Sequence, residues 1–191
     1  MITAIWGDSI TFGAGDQEGL GWPGRIRRTF ASGDLQHVYN FGICGETSSD
    51  LIKRFDIERA ATDPDRILFA IGINDSKYPN AGDATAVPIE FFAQNMCTLI
   101  NQAKQSTDDV ILVGPTCVGG EFSSSNGSIF SDKSIVRYRD ALMNIADEQA
   151  LTWIDRLDIL DPKTDLCDGV HPNTQGYQKI FERISAKITW V

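Results

Sequence analysis

The chain has 191 residues, enough for one domain of ordinary size with a buried core. Hydrophobic residues make up 42% and charged residues 23%, which excludes a disordered chain. With 17 Lys and Arg against 26 Asp and Glu, a net charge of -9 and a pI near 4.6, the surface lacks the basic face that nucleic acid needs and would repel anionic lipid.

The first element is an apolar, β-rich run over Ile2–Trp6. Asp8 and Ser9 interrupt it at once, so it does not read as a signal peptide, and the chain is expected to be cytoplasmic with no membrane anchor. The segment that follows is Gly7-Asp8-Ser9-Ile10-Thr11. A serine where a strand turns towards a helix exposes its hydroxyl beside unpaired backbone N–H groups, which suits a nucleophile with an oxyanion donor at hand. The plain alternative for Ser9 is a helix N-cap. Gly13 and Gly15 give a partial G-x-G, but Glu18 stands where a third glycine would complete a nucleotide-binding turn.

A helix is expected over Trp22–Ala31 and a second strand over His37–Phe41. After that strand come two close glycines, Gly42 and Gly45, in Asn40-Phe41-Gly42-Ile43-Cys44-Gly45-Glu46-Thr47. Gly45 could turn its N–H to a substrate oxygen, or the pair could simply make a strand-to-helix turn. A helix over Ser48–Ala61 leads to a strand over Arg66–Ile71 and then to Gly72-Ile73-Asn74-Asp75. The Asn74 amide can point a neutral donor into a cleft, or either polar residue can cap a turn.

A helix over Pro88–Gln105 and a strand over Val110–Val113 precede a Gly- and Ser-rich stretch, Gly119–Ser131, expected as a long loop. A helix over Lys133–Gln149 and a strand over Leu151–Ile154 come next. Asp168-Gly169-Val170-His171-Pro172 stands just before the clearest helix, Asn173–Lys187, in which Tyr177, Phe181, Ile184 and Ile188 share one face. Asp168 and His171 are three residues apart on a turn, so the carboxylate can hold the ring Nδ1–H and leave Nε2 free to take a proton from Ser9. A D-G turn and a helix-starting proline explain the neighbours but not His171. His37, the other histidine, opens a strand and is expected to be structural. Asp8 and Asp75 are expected to brace their loops.

Strands alternating with helices imply right-handed crossovers and a flavodoxin-like three-layer α/β/α sandwich around a parallel sheet of about five strands, as a single domain over residues 1–191. In such sheets ligands bind beyond the carboxyl ends of the strands, where the unusual polar residues fall. Cys44, Cys97, Cys117 and Cys167 form no C-x-x-C pair and have no histidine at ligand spacing. No metal is expected, and the four are expected as free thiols, mostly buried.

Four such segments in this order resemble the SGNH, or GDSL-type, hydrolase family of esterases and lipases. The resemblance runs from Gly7 to Pro172 and includes the Trp22-Pro23 pair, with Ile10 in place of the leucine of the G-D-S-L string. It implies Ser9 as nucleophile, His171 as base, Asp168 as orienting acid, and Ser9, Gly45 and Asn74 as the oxyanion hole. Gly45 is preferred to Gly42 because C-G-E-T is similar to the family's S-G-D-T pattern. An ester hydrolase that forms an acyl-enzyme follows, with no metal or organic cofactor. Its partner is a small-molecule ester, and no oligomeric preference is written in the chain. The mixed, polar loops Phe12–Gly21, Ser76–Val87 and Gly119–Ser131 favour a small acyl ester such as an acetate. A lysophospholipase or thioesterase on the same site, and a non-catalytic or nucleotide-binding module on the same scaffold, are the alternatives.

Overall fold

A computed structural model of the chain describes residues 1–30 and 36–190. Its strands are β1 (Ile2–Gly7), β2 (His37–Gly42), β3 (Arg66–Ala70), β4 (Val110–Val113), β5 (Glu121–Ser123), β6 (Ile129–Ser131) and β7 (Thr152–Ile154). Five of them form one parallel sheet in the order β2-β1-β3-β4-β7. The helices are α1 (Ser9–Phe12), α2 (Gly21–Thr29), α3 (Ser48–Thr62), α4 (Ile73–Ser76), α5 (Ile89–Ala103), α6 (Asp132–Glu148) and α7 (Thr174–Ser185). The expected end of the second of these, Ala31, lies outside the described residues. No described helix is long and apolar enough to cross a membrane.

Alternation along the strands divides the core in two, because successive side chains point to opposite faces of a sheet. Ile5, Leu68, Ile111 and Ile154 pack with Trp22 and Ile26 of α2 and with Tyr177, Ile180 and Ile184 of α7. Ala4, Trp6, Ile67, Phe69 and Leu112 pack with Leu51 and Phe55 of α3, Phe92 and Met96 of α5, and Tyr138 and Leu142 of α6. Burial on both faces is why the central strands β1, β3 and β4 read as continuous apolar runs. Trp6 is fully buried, stacked on Phe41 at 4.8 Å between ring centres and edge-on to Phe55 at 4.7 Å. Aromatic pairs of this kind add roughly 0.5–1.5 kcal/mol each beyond the area they bury.

The segment expected as a loop over Gly119–Ser131 is instead built around a hairpin, in which β5 and β6 pair antiparallel through Glu121↔Ser131 and Ser123↔Ile129. Each strand is three residues long, too short to show a period of two, and the turn between them is polar. The expectation of buried thiols also fails: Cys44 and Cys167 are exposed and the other two are half-buried. Cys44 and Cys167 sit in the connections beyond the strand ends, where the chain runs over the surface.

The sheet order fixes where the chemistry falls. From β1 the chain crosses to β2 on one side and then to β3 on the other, so the crossover direction reverses at β1/β3. That is the crevice in which open α/β sheets hold ligands. Gly7, Gly42 and Ala70 end β1, β2 and β3 in register, which brings Ser9, Gly45 and Asn74 to one rim.

Candidate active site

Ser9 opens α1 directly after β1, and its side chain is buried. It does not cap that helix. Asp8 does, its Oδ1 accepting the Ile10 N–H at 2.9 Å. The cap is therefore taken by the neighbour, and the Ser9 hydroxyl turns to the cleft, where Oγ lies 2.8 Å from His171 Nε2.

The histidine stands on a turn tied down by its own backbone. Cys167 N–H donates to the His171 carbonyl at 2.9 Å, and Asp168 Oδ1 accepts the N–H groups of Val170 at 3.0 Å and His171 at 2.8 Å. Gly169 has φ +90°, a conformation that a D-G turn supplies without strain, and the Phe122 ring of β5 lies where a Cβ would project. Asp168 Oδ2 meets His171 Nδ1 at 2.6 Å. Burial pushes the Asp168 carboxyl up, but the hydrogen bonds from the His171 side chain and backbone outweigh it and hold the group below the usual carboxylate range. An ionised carboxylate only accepts, so Nδ1 carries the proton, and in the neutral imidazole Nε2 then presents its lone pair to Ser9.

Asn74 lies in α4, at the end of β3, and its Nδ2 donates to the Glu46 carbonyl at 3.1 Å. Next to it, Asp75 accepts the Ser48 N–H at 2.9 Å and the Ser48 hydroxyl at 2.5 Å. Two adjacent residues of α4 thus anchor the connection that carries Gly45. Gly45 has φ +79° and open space around it, and it lines the cleft. Gly42 serves the packing instead. A Cβ there would meet the Phe12 backbone N at 2.2 Å, so its smallness lets β2 pass α1. Among the described residues, neither the Ser9 nor the Gly45 N–H has a protein acceptor.

Ser9, Gly45, Asn74, Asp168 and His171 line one cleft of about 410 Å³. All five residues singled out in the sequence are brought together. The hairpin closes one side with Phe122, Phe130, Ser124 and Ser128, and Lys77 adds a cation that sequence reasoning missed. Lysine is common on surfaces, and nothing in its spacing marks this one. Ala14, Lys77 and the hairpin come from the three loops expected to shape the pocket. His37 is exposed at the start of β2 and outside the cleft.

The partial G-x-G offers no phosphate cradle. The Gly13 and Ala14 N–H groups both donate to the Ser9 carbonyl, at 3.0 and 2.9 Å. The start of α2 is filled by the chain's own anion, as Asp16 Oδ2 accepts the N–H groups of Leu20 and Gly21 at 3.2 and 2.8 Å and pairs with Arg25.

Asp8 and Asp75 brace their loops as expected, and burial pushes both up to about 6 against hydrogen bonds from Ile10 and Ser48 respectively. A carboxyl that holds its proton more tightly folded than unfolded withdraws stability as pH rises from its unfolded value, here 3.8, to its folded one. Asp16, held at about 2, and the lowered Asp168 act in the opposite sense and below that window. Between about pH 4 and 6 the two buried groups therefore weaken the fold. Asp75→Asn should shrink the difference between urea melts taken at those two pH values. An undiminished difference would refute the assignment to Asp75.

A curated relative, the Uncharacterized protein YpmR of Bacillus subtilis (strain 168), is 24% identical over 209 residues, covering 96% of this chain and 80% of that protein. Among solved structures, Axe2, an acetylxylan esterase from Geobacillus stearothermophilus, matches with a TM-score of 0.80 at 20% identity over 100% of this chain and 94% of that one. LAE5, an alpha/beta hydrolase enzyme from the metagenome of Lake Arreo, Spain, matches with a TM-score of 0.80 at 21% identity over 97% and 94%. Catalytic mutants of Axe2 replace one serine, one aspartate and one histidine, the last two three positions apart in that chain. The profile of the GDSL-like Lipase/Acylhydrolase family matches residues 5–179, nearly the whole chain. This chain belongs to the GDSL-like lipase/acylhydrolase family and is a hydrolase of ester bonds.

Proposed function

We propose that the chain hydrolyses small, hydrophilic carboxylic esters through an acyl-enzyme, with Ser9 as nucleophile, His171 as base and Asp168 as orienting acid. The observation that carries this reading is the continuous line from Asp168 Oδ2 to His171 Nδ1, 2.6 Å, and from His171 Nε2 to Ser9 Oγ, 2.8 Å, inside one cleft. Nε2 takes the hydroxyl proton as Oγ attacks the ester carbonyl. The imidazolium then returns that proton to the departing alcohol, and water repeats the sequence to release the acid. The N–H groups of Ser9 and Gly45 and the Asn74 amide supply donors for the oxyanion. Donors already in place when charge develops need no reorganisation at the moment of reaction.

Ser124 and Ser128, set among Phe122 and Phe130, give the cleft wall polar groups that support a hydrophilic substrate, and the fold shared with an acetylxylan esterase supports a short acyl group. A p-nitrophenyl alkylphosphonate, which traps esterase nucleophiles, tests the assignment directly. Peptide mass spectrometry should find one adduct, on Ser9, with loss of ester hydrolysis in step. A full adduct on any other residue would refute Ser9 as nucleophile. In a panel of p-nitrophenyl esters of rising acyl length, activity should fall beyond short chains, and a steady rise would refute the small-acyl preference.

A further inference from the structure

The cleft holds a cation that has no Asp or Glu within 4.0 Å among the described residues. Among the described residues, every buried or half-buried Lys or Arg but two has an Asp or Glu within 4.0 Å, as Arg54 has Glu46 and Lys179 has Asp165. One exception, Arg156, is sealed in the core, where Nε donates to the Gly114 carbonyl at 2.7 Å and the Asp8 charge offsets it from nearby. The other is Lys77, which faces the cleft alongside Ser9 and Asn74.

Lys77 Nζ donates to Asn74 Oδ1 at 3.3 Å and lies 5.8 Å from the centre of the Phe130 ring. Both neighbours are neutral. An amide oxygen and a ring face stabilise an ammonium without cancelling its charge. An ammonium has three donors, and the contact with Asn74 uses one. A structural peg for Asn74 would need no more than that one, and among the described residues every other sheltered cation except the core Arg156 is matched with a carboxylate. The one carboxylate lining the same cleft, Asp168, is turned onto donors of its own turn, the ring N–H of His171 and two backbone N–H groups.

We propose that Lys77 receives a carboxylate carried by the substrate, so that the preferred esters are acidic ones. The carboxylate could be borne on the acyl side, as in a half-ester of a dicarboxylic acid, or on the alcohol. The inference rests on the serine-esterase reading above. The chain's net charge of -9 does not oppose it at contact distance. Charges beyond about 8 Å are largely screened at physiological ionic strength, whereas an ammonium in direct contact is not.

Two matched pairs test the idea and separate the two sources. On the acyl side, mono-p-nitrophenyl succinate is compared with p-nitrophenyl butyrate. On the alcohol side, m-acetoxybenzoate is compared with m-acetoxybenzamide. The readout is the ratio of kcat/KM, charged over neutral, within each variant, so that any disturbance of Asn74 common to both esters cancels. Wild type should favour the charged member of at least one pair by about tenfold, the strength of one charge-assisted contact. Lys77→Met should bring that ratio to about one or below, and Lys77→Arg should keep it well above one. No charged preference in wild type, or one that survives in Lys77→Met, overturns the proposal. Ser9→Ala distinguishes the levels: if it is inactive while wild type shows no charged preference, only the carboxylate inference falls, and if it is fully active the reading of Ser9 as nucleophile falls with it.

Discussion

Ser9→Ala is expected to lower turnover of p-nitrophenyl acetate by about 10,000-fold or more, His171→Ala to do nearly the same, and the double variant to be no slower than the worse of the two. The size follows from the two side chains acting as a unit. With Oγ at 2.8 Å from Nε2, neither has its function without the other, so their losses do not add. The fold should not register the first change. Asp8 caps α1, so removing the Ser9 hydroxyl leaves the helix N-terminus satisfied. Loss of the cap itself, in Asp8→Ala, costs on the order of 1 kcal/mol by comparison. Thermal melts of Ser9→Ala and Asp8→Ala alongside the rate measurements therefore separate a nucleophile from a helix cap at adjacent positions. A Ser9→Ala variant that melts early but keeps a tenth of its rate would return Ser9 to the structural role. Strictly additive rate losses would mean that the serine and the histidine work in separate steps.

The contrast between Asp8 and Ser9 shows how far the sequence could be read. Residue types and their order were enough to place a polar cluster beyond the strands, because strands buried on both faces are apolar throughout and the connections after them stand out. Deciding which of two adjacent polar residues caps the helix requires the direction of each side chain at the turn, and no spacing records that. Gly42 and Gly45 are the same case: they look alike in sequence, yet one lets β2 pass α1 and the other sits in open space on the rim. The hairpin escaped because three-residue strands carry no legible period, and it is held by contacts distant in sequence. Tyr78 pairs with Ile129 through two backbone hydrogen bonds of 2.8 Å, and just beyond the hairpin, in α6, Ser134 Oγ donates to the Ser76 carbonyl at 2.7 Å. The hairpin is therefore fastened to the connection that follows Asn74, while its Phe122 lies against Gly169 beside the histidine. The elements that carry the proposed chemistry were visible, and so was the stretch that walls the pocket, but not the hairpin that gives the wall its shape.

At the acid, the conservative replacement is expected to be the more damaging one. In Asp168→Asn the side chain keeps its shape, and the two backbone N–H groups of Val170 and His171, at 3.0 and 2.8 Å from Oδ1, continue to demand an acceptor at that position. They hold the amide oxygen there and turn the amide nitrogen towards His171 Nδ1. A donor facing Nδ1 requires that ring nitrogen to accept, which moves the imidazole proton to Nε2. Nε2–H can no longer take the Ser9 proton, and turnover falls by about 10,000-fold, as it does when a triad acid is amidated with its geometry intact. Asp168→Ala imposes no such tautomer. The Asp168 side chain is 53% exposed, so water can enter the space it leaves and accept from Nδ1–H. The alanine variant should therefore retain more activity than the asparagine variant, though it loses the charge that stabilises the imidazolium. Measuring kcat for both on p-nitrophenyl acetate from mildly acidic to mildly alkaline pH decides the matter: alanine above asparagine throughout assigns Asp168 to control of the tautomer. Asparagine near wild type, with alanine far below, would instead mean that Asp168 only shapes the turn.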